Sequence, residues 1–357
     1  MIYIHVPFCH RKCTYCAFFS RVESGKWKVD SYVDSLLVEM EQRSGEQAHP
    51  VRTVYFGGGT PSILPLAQLA RIVEGLHRCF DLSRLEEMTL EANPEDLTPD
   101  YLAGLRRLGF DRLSIGVQSL DDDVLRLIGR RHTAAQALDA VENARRAGFG
   151  NISVDFIFGI VPIVPIVPIA PIVNHVSAYA LTVEPGTALA VQVERGRVSL
   201  PDEDEVVRQY HALHRQLEAA GFRQYEVSNY ARPGYESRHN SRYWDRTPYL
   251  GLGPGAHSFT LSDGGSTSVA RGGKRRWNNP DGTWAEETLT ETDAYNELLM
   301  TSLRTVRGLP VAALRTDTIQ QLQPYLDCNW LVFRDGCYSP TPVGLLHADG
   351  MAAALFV

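Results

Sequence analysis

Short apolar runs alternate with longer amphipathic stretches along the first half of the chain. IYIHV near the start, VRTVYF (Val51–Phe56), MTLEA (Met88–Ala92), RLSIGVQ (Arg112–Gln118), ISVDFIFG (Ile152–Gly159) and HVSAYALTVE (His175–Glu184) have the length and β-branched content of buried parallel strands. Between them, DSYVDSLLVEM from Asp30, PLAQLARIVEGLHRCF from Pro65, TPDYLAGLRRLG from Thr98 and TAAQALDAVENARRAG from Thr133 repeat apolar residues at helical spacing. Thr98 and Thr133 stand at N-cap positions, and Gly109 and Gly148 stand where a helix stops. About six βα units predict an α/β fold, a partial or complete barrel whose functional loops gather at the C-terminal ends of the strands.

Polar residues recur at that end. Three cysteines follow the first strand, GGGTP (Gly57–Pro61) follows the second, and Glu91 with ANPE closes the third. Gln118 ends the fourth strand and Asp155 lies within the fifth. Each alone reads as a tight turn, a cap or a satisfied buried polar group; together they mark a site.

Composition narrows the class. At 357 residues, 44% hydrophobic and 22% charged, the chain is long enough for one large domain and a smaller one. A net charge of −7 with acids and bases interspersed supplies no basic stripe, which argues against nucleic acid as a partner. There is no apolar run of about 18 residues, and MIYIHVPF has neither the charged start nor the cleavage site of a signal peptide. A cytoplasmic protein without a transmembrane segment is expected. Of six cysteines, Cys79, Cys328 and Cys337 are scattered and read as apolar fillers, whereas Cys9, Cys13 and Cys16 fall within CHRKCTYCAF.

Three thiols are one too few for a four-ligand zinc site, and His10, between two of them in one loop, is a poor fourth ligand. Spacings of three and two intervening residues suit one loop wrapped around three corners of a cubane iron–sulfur cluster. The remaining iron is then open to a small molecule carrying an amine and a carboxylate, and a glycine-rich loop offers bare backbone to such a ligand.

CxxxCxxC followed by GGGTP on a βα framework resembles the radical S-adenosylmethionine (SAM) superfamily, from Tyr3 to at least Asp155. The resemblance implies a partial (β/α)6 TIM-like barrel, a 4Fe-4S cluster on Cys9, Cys13 and Cys16, and SAM on the open iron. It places Tyr3, Gly58, Gly59 and Thr60 near the methionyl group, and Glu91, Gln118, Arg130 and Asp155 around the rest of SAM. The pair Arg130 and Arg131 leaves the arginine assignment ambiguous by one position.

YIHVPFCHRKCTYCAF, YFGGGTPSIL, LEANPE, RLSIGVQS and AYALTVEPGT resemble the branch that contains oxygen-independent coproporphyrinogen III dehydrogenase and the HemW-type heme chaperones. The dehydrogenase pattern has a further cysteine two positions after the third ligand, where this chain has Phe18, and an N-terminal extension where this chain starts on its first strand. RHNSRYWDRTPYLGLGPGAHSF (Arg238–Phe259) matches the HNxxYW motif of the chaperones through His239, Asn240, Tyr243 and Trp244. The resemblance implies heme binding there, with His239 as iron ligand, the aromatics against the porphyrin, and His257 as a candidate second axial ligand. The plain alternative is that His239 and Trp244 anchor a loop.

The function implied is heme binding and transfer to heme-requiring recipients, membrane-bound respiratory enzymes among them, without coproporphyrinogen dehydrogenase activity. The alternative is the oxidative decarboxylase itself. A sulfur-inserting or RNA-modifying enzyme would want ligands for a second cluster or an RNA-binding appendage, and the sequence shows neither. Peripheral membrane contact through a recipient and a homodimer both stay open.

Domain boundaries are expected at 1–228 for the barrel, 229–289 for a connecting region with the HNxxYW motif, and 290–357 for a small α+β, winged-helix-like C-terminal domain. Within the latter, WLVFRDGCYSPT reads as a hairpin turning near Asp335 and Gly336, and TIQQLQPYLD lacks the basic residues of a DNA-reading helix, which favours a lid or docking role. His211 and His214 are expected on the flank of a helix striped by Val206, Tyr210, Leu213 and Leu217. VPIVPIVPIAPIV (Val161–Val173) repeats proline every third residue, which forbids the amphipathic helix that the family resemblance implies there.

Overall fold

The computed structural model describes residues 1–22, 28–160, 168–261 and 272–357. β1 (Ile2–Val6) is followed by a short parallel pair, β2 (Phe8–Cys9) and β3 (Arg21–Val22). β4 (Thr53–Gly58), β5 (Glu87–Ala92), β6 (Arg112–Gln118), β7 (Asn151–Phe158) and β8 (His175–Ala180) then continue from β1 in parallel. Antiparallel β9 (Arg223–Gln224) and β10 (Asn229–Ala231) finish one edge, and β11 (Leu250–Leu252) runs parallel to β1 on the other. The nine-stranded order is β11-β1-β4-β5-β6-β7-β8-β10-β9, an open barrel. The sheet thus runs through the boundary expected at residue 228: β10 and β11 hydrogen-bond into it, so this part of the connecting region belongs to the barrel.

Helices α1 (Val29–Arg43), α2 (Leu66–Cys79), α3 (Pro99–Arg107), α4 (Asp122–Leu127), α5 (Ala134–Arg146), α6 (Ala188–Glu194) and α7 (Glu203–Ala219) fill the crossovers. Thr98 caps α3 by accepting from Tyr101 N, and Thr133 caps α5 in a reciprocal box with Gln136. Gly109 and Gly148 take φ values of 91° and 87°, the left-handed stop expected of them. The sixth strand ends at Ala180, short of the expected Glu184. Of the proline repeat, residues 161–167 lie outside the described residues; Ile169 and Val173 are buried in the core and Ala170–Ile172 forms a single 3₁₀ turn.

The strands alternate with period two, and the alternation is inverted relative to an apolar-filled barrel. Ile2, Ile4, Val54, Phe56, Leu90, Leu113, Ile115, Ile152 and Val154 face outward into one core shared with the helices. Each such buried side chain stabilises the fold by roughly 1.5–3 kcal/mol. The intervening positions are polar: Tyr3, Tyr55, Thr89, Glu91, Arg112, Ser114, Ser153, Asp155, His175 and Ser177.

Helix α8 (Arg238–Trp244) sits at the opposite end from the functional loops, where the first residue of β5, Glu87, accepts from the backbone nitrogens of Arg238 and His239, both at 3.0 Å. A second sheet, β12 (His257–Leu261), β13 (Gly273–Asn278) and β14 (Trp284–Leu289), leads to α9 (Glu291–Leu303) and a smaller unit with its own core of Tyr295, Leu299, Leu309, Leu331 and Met351. Its sheet comprises β15 (Leu309–Pro310), β16 (Leu331–Arg334) and β17 (Cys337–Pro340); Asp335 and Gly336, with φ of 50° and 75°, make the two-residue turn between the last two. Backbone bonds from Val227 N to Arg304 O (2.9 Å) and Val306 N to Tyr225 O (3.1 Å) join this unit to the barrel.

Candidate functional site

A cavity of about 590 Å³ opens at the C-terminal ends of the strands, and Cys9, Cys13, Cys16, Gly58, Gly59, Thr60, Glu91, Gln118, Arg130 and Asp155 all line it. The cysteine loop leaves β1 and is pinned between its last two thiols: Thr14 N donates to Ile128 O (3.1 Å) and Thr14 O accepts from Leu189 N (2.8 Å). All three thiols are free and half-buried. Thr60 Oγ1 donates to Cys9 Sγ at 3.5 Å, and Arg130 Nη1 to Cys13 Sγ at 3.5 Å.

Two glycines bring the next loop against this one. Gly58 has φ of 109°, where side chains are strained, and a Cβ there would meet the His5 ring at 2.6 Å. Gly59 donates to Val6 O at 2.8 Å, and a Cβ on it would fall 2.5 Å from Phe8 O.

Glu91 forms the cavity floor. It accepts from Tyr55 Oη at 2.8 Å and from Gly58 N at 3.1 Å. Burial pushes its carboxyl up to about 7, partly opposed by those two donors and reinforced by Asp155. Asp155 accepts from Ser114 Oγ at 3.2 Å and is also raised by burial. Gln118 holds φ of 67° where the β6–β7 register shifts, an unusual backbone for a glutamine that turns the end of the strand toward the cavity.

Of the two adjacent arginines, one faces the cavity. Arg130 is inward, donating to Asn93 Oδ1 (2.6 Å) and Gly116 O (2.7 Å), whereas Arg131 is 43% exposed and points to Glu95 at 3.8 Å. Asn93, which also donates to Thr60 Oγ1 at 3.5 Å, ties three loops together. Asn93 lies within LEANPE, where no sequence pattern marks it as the tie between loops.

Tyr3 does not line the cavity. Its hydroxyl meets His5 Nδ1 at 3.2 Å and its ring stacks on Tyr55 at 6.2 Å, because alternation along β1 turns it into the barrel below the floor. The HNxxYW residues lie farther still. His239 is 0% exposed; Nδ1 meets Thr53 Oγ1 at 2.9 Å, Nε2 meets Tyr243 Oη at 3.0 Å, and the ring stacks on Tyr55 at 5.0 Å. The expected imidazole–iron bond therefore has no open nitrogen, since the ring is held by hydrogen bonds inside the barrel. Tyr243 packs edge-on against Tyr249 at 4.8 Å, Asn240 N is taken by Ser237 Oγ at 3.2 Å in the cap of α8, and the Arg304 guanidinium lies 5.6 Å from Trp244. Tyr243 and Trp244 are both partly buried. His257 is exposed on β12 beside Trp277, outside the barrel that encloses His239. His214, expected on a flank, is buried against Tyr230 and Tyr210.

The donor set fits the groups implied by the sequence. Among the described residues no three His, Cys, Asp or Glu side chains gather around a point where a single ion would sit. Three free thiols ringing one mouth suit a multi-iron cluster, which takes each thiolate on a separate iron. The buried Arg130 has an unpartnered Nε and lies beside those thiols, supplying positive charge where thiolate charge would collect. Opposite, Glu91, Asp155 and Gln118 provide acceptors for ammonium and hydroxyl groups.

Comparison with known proteins agrees with this architecture. Residues 3–162 match the radical SAM superfamily model, and residues 289–347 match the HemN C-terminal domain. The heme chaperone HemW of Mycobacterium tuberculosis is 35% identical over 378 residues, covering 99% of this chain and 94% of that protein. The heme chaperone HemW of Bacillus subtilis is 37% identical over 277 residues, covering 75% of this chain and 72% of that one. In fold, the chain resembles coproporphyrinogen III oxidase (HemN) from Escherichia coli, with a TM-score of 0.81, 22% identity, and coverage of 100% of this chain and 89% of that one. A likeness in sequence that runs through barrel and C-terminal unit alike, on a cavity with three free thiols, means that the chain belongs to the HemW family of the radical SAM superfamily.

Proposed function

We propose that this protein binds heme and passes it to heme-requiring proteins, and that it carries a 4Fe-4S cluster and SAM in the cavity. The observation that carries the reading is the 35% identity to a HemW chaperone along 99% of the chain. Phe18 supports it: the residue is 72% exposed at the cavity rim, in the position where the dehydrogenase pattern has a further cysteine.

Cys9, Cys13 and Cys16 would hold the cluster, which when bound supplies an iron with a coordination position open to the amine and carboxylate of SAM. The chain's own groups then have separable tasks. Gly58 and Gly59 keep the second loop bare of side chains, so that backbone meets the ligand. Glu91, oriented by Tyr55 and Gly58, offers negative charge to an ammonium, and Asp155 with Gln118 offers acceptors to ribose hydroxyls. Arg130 is fixed by Asn93 and Gly116 to meet a carboxylate and the cluster-side thiols.

Heme would lie away from His239, whose ring nitrogens are both engaged. Among the described residues no helix is long and apolar enough to cross a membrane. Anaerobic heme titration, with transfer to an apo-heme protein followed spectroscopically, tests the reading. Saturable binding and transfer support it, whereas decarboxylation of coproporphyrinogen without heme binding overturns it.

A further inference from the structure

Arg112 opens β6 and points into the barrel beneath the cavity. It is 1% exposed, and its Nε and Nη1 have no partner within hydrogen-bond reach. Among the described residues no carboxylate forms an ion pair with it. The facing residue on β5, Thr89, is 0% exposed and its Oγ1 is likewise unpartnered. Below them the floor is shut by His239 and Tyr243 of α8.

A buried guanidinium with two of its three nitrogens unpartnered is too costly to stand uncompensated. Two sources of compensation are on hand. Several polar atoms left open in one enclosed place are the setting in which buried water is found, because each water needs two to four polar partners. Carboxylates one pleat higher act through space, because charge is weakly screened in a closed interior. Glu91 sits next to Ser114 across β5 and β6, and Ser114 in turn donates to Asp155.

We propose that Arg112 is the counter-charge beneath the cavity that favours the ionised form of the Glu91 and Asp155 carboxylates toward a cationic ligand above. It is a positioning residue, since it acts through those carboxylates. The cationic-ligand part rests on the SAM reading given above; the charge part stands apart from it.

The groups facing these carboxylates come from every neighbouring element. Around Glu91 they are Tyr55, Asp155 and Arg112, with Tyr3, Tyr179 and Tyr243 behind. Around Asp155 they are Glu91, Tyr55, Arg112, Arg130, Tyr15 and Tyr179. Arg130 stays beside Asp155 when Arg112 is changed, so Glu91 is the group expected to respond more strongly.

The test is a difference-infrared pH titration of the protonated carboxyl band in the cluster-loaded protein, assigned with E91Q. In R112Q the Glu91 midpoint moves upward by about one pH unit, a tenfold change in proton affinity. R112K, which keeps the charge, moves it less. A midpoint unchanged in R112Q overturns the proposal.

Should R112Q fold poorly, the thermal midpoints of R112Q, E91Q and the double variant decide. Recovery in the double variant supports the pairing of charges, and strictly additive losses overturn it. SAM affinity measured by calorimetry at pH 7 separates the two readings. A carboxyl midpoint that moves while SAM binds nowhere in the protein supports the counter-charge and removes the SAM site.

Discussion

Tyr55 Oη donates to Glu91 Oε1 at 2.8 Å, and the same Tyr55 ring stacks on His239 at 5.0 Å. One side chain therefore links the cavity floor to the HNxxYW motif that closes the other end of the barrel. The motif's contribution to the cavity is mechanical: it holds the tyrosine that aims the carboxylate.

Burial, against the pull of that link, makes Glu91 the pH-sensitive part of the floor. With its carboxyl near 7, SAM affinity falls as pH drops through that value, because the protonated acid no longer attracts an ammonium. In E91Q the dependence disappears and affinity at pH 8 is reduced by about tenfold, the range of one charged hydrogen bond. Calorimetric SAM titration of the cluster-loaded protein between pH 6 and 8 checks both points.

His239→Ala is expected to act on stability. It removes a 0% exposed ring and two hydrogen bonds from the barrel floor, a loss of about 3 kcal/mol. The thermal midpoint falls while heme affinity of the folded protein stays within about twofold of wild type, an effect below 0.5 kcal/mol. A folded variant with a changed heme spectrum would contradict the placement of heme away from this ring.

Replacing Cys9, Cys13 or Cys16 by Ala should remove cluster absorbance and bound iron with little change in far-ultraviolet circular dichroism. The Cys9 and Cys13 thiols make long contacts, 3.5 Å to Thr60 and to Arg130, the Cys16 thiol bonds to the Phe18 backbone, and the loop is pinned by backbone bonds at Thr14.

Glu226 offers a test remote from the cavity. It is 1% exposed between barrel and C-terminal unit, its Oε1 is unpartnered, and burial raises it to about 7. A carboxyl raised in the folded state above its unfolded value stabilises the protein below the unfolded pKa, and that contribution is lost as pH rises through the folded value. Glu226→Gln should thus be stabilising by about 1–2 kcal/mol at pH 8 and neutral near pH 5. Denaturant unfolding at the two pH values measures it.

Much of this was legible because the chemistry is local. Cys9, Cys13 and Cys16 share one loop, Gly58 and Gly59 one turn, and their convergence follows from the rule that parallel strands present their loops at one end. Thr98 and Thr133 cap the helices they precede. What escaped was inside the barrel. Thr53, Tyr55, Thr89, Arg112 and Ser153 sit at alternate positions of strands read only as apolar, and the period-two alternation in those segments was the available signal. The family resemblance places Tyr3 near the methionyl group, yet strand alternation turns it below the floor. His239 was misplaced for a different reason. A motif shows which residues travel together, and only the packing of α8 under β4 and β5 shows that both imidazole nitrogens are spent.

We infer that this chain holds heme as cargo. Anaerobic titration of the cluster-loaded protein with heme, read at the Soret band beside a carrier protein without a heme site, measures it directly. Saturable binding with a spectrum distinct from free heme, retained in folded His239→Ala, is expected. Binding no tighter than to the carrier would contradict it, and would return the radical-enzyme reading to first place.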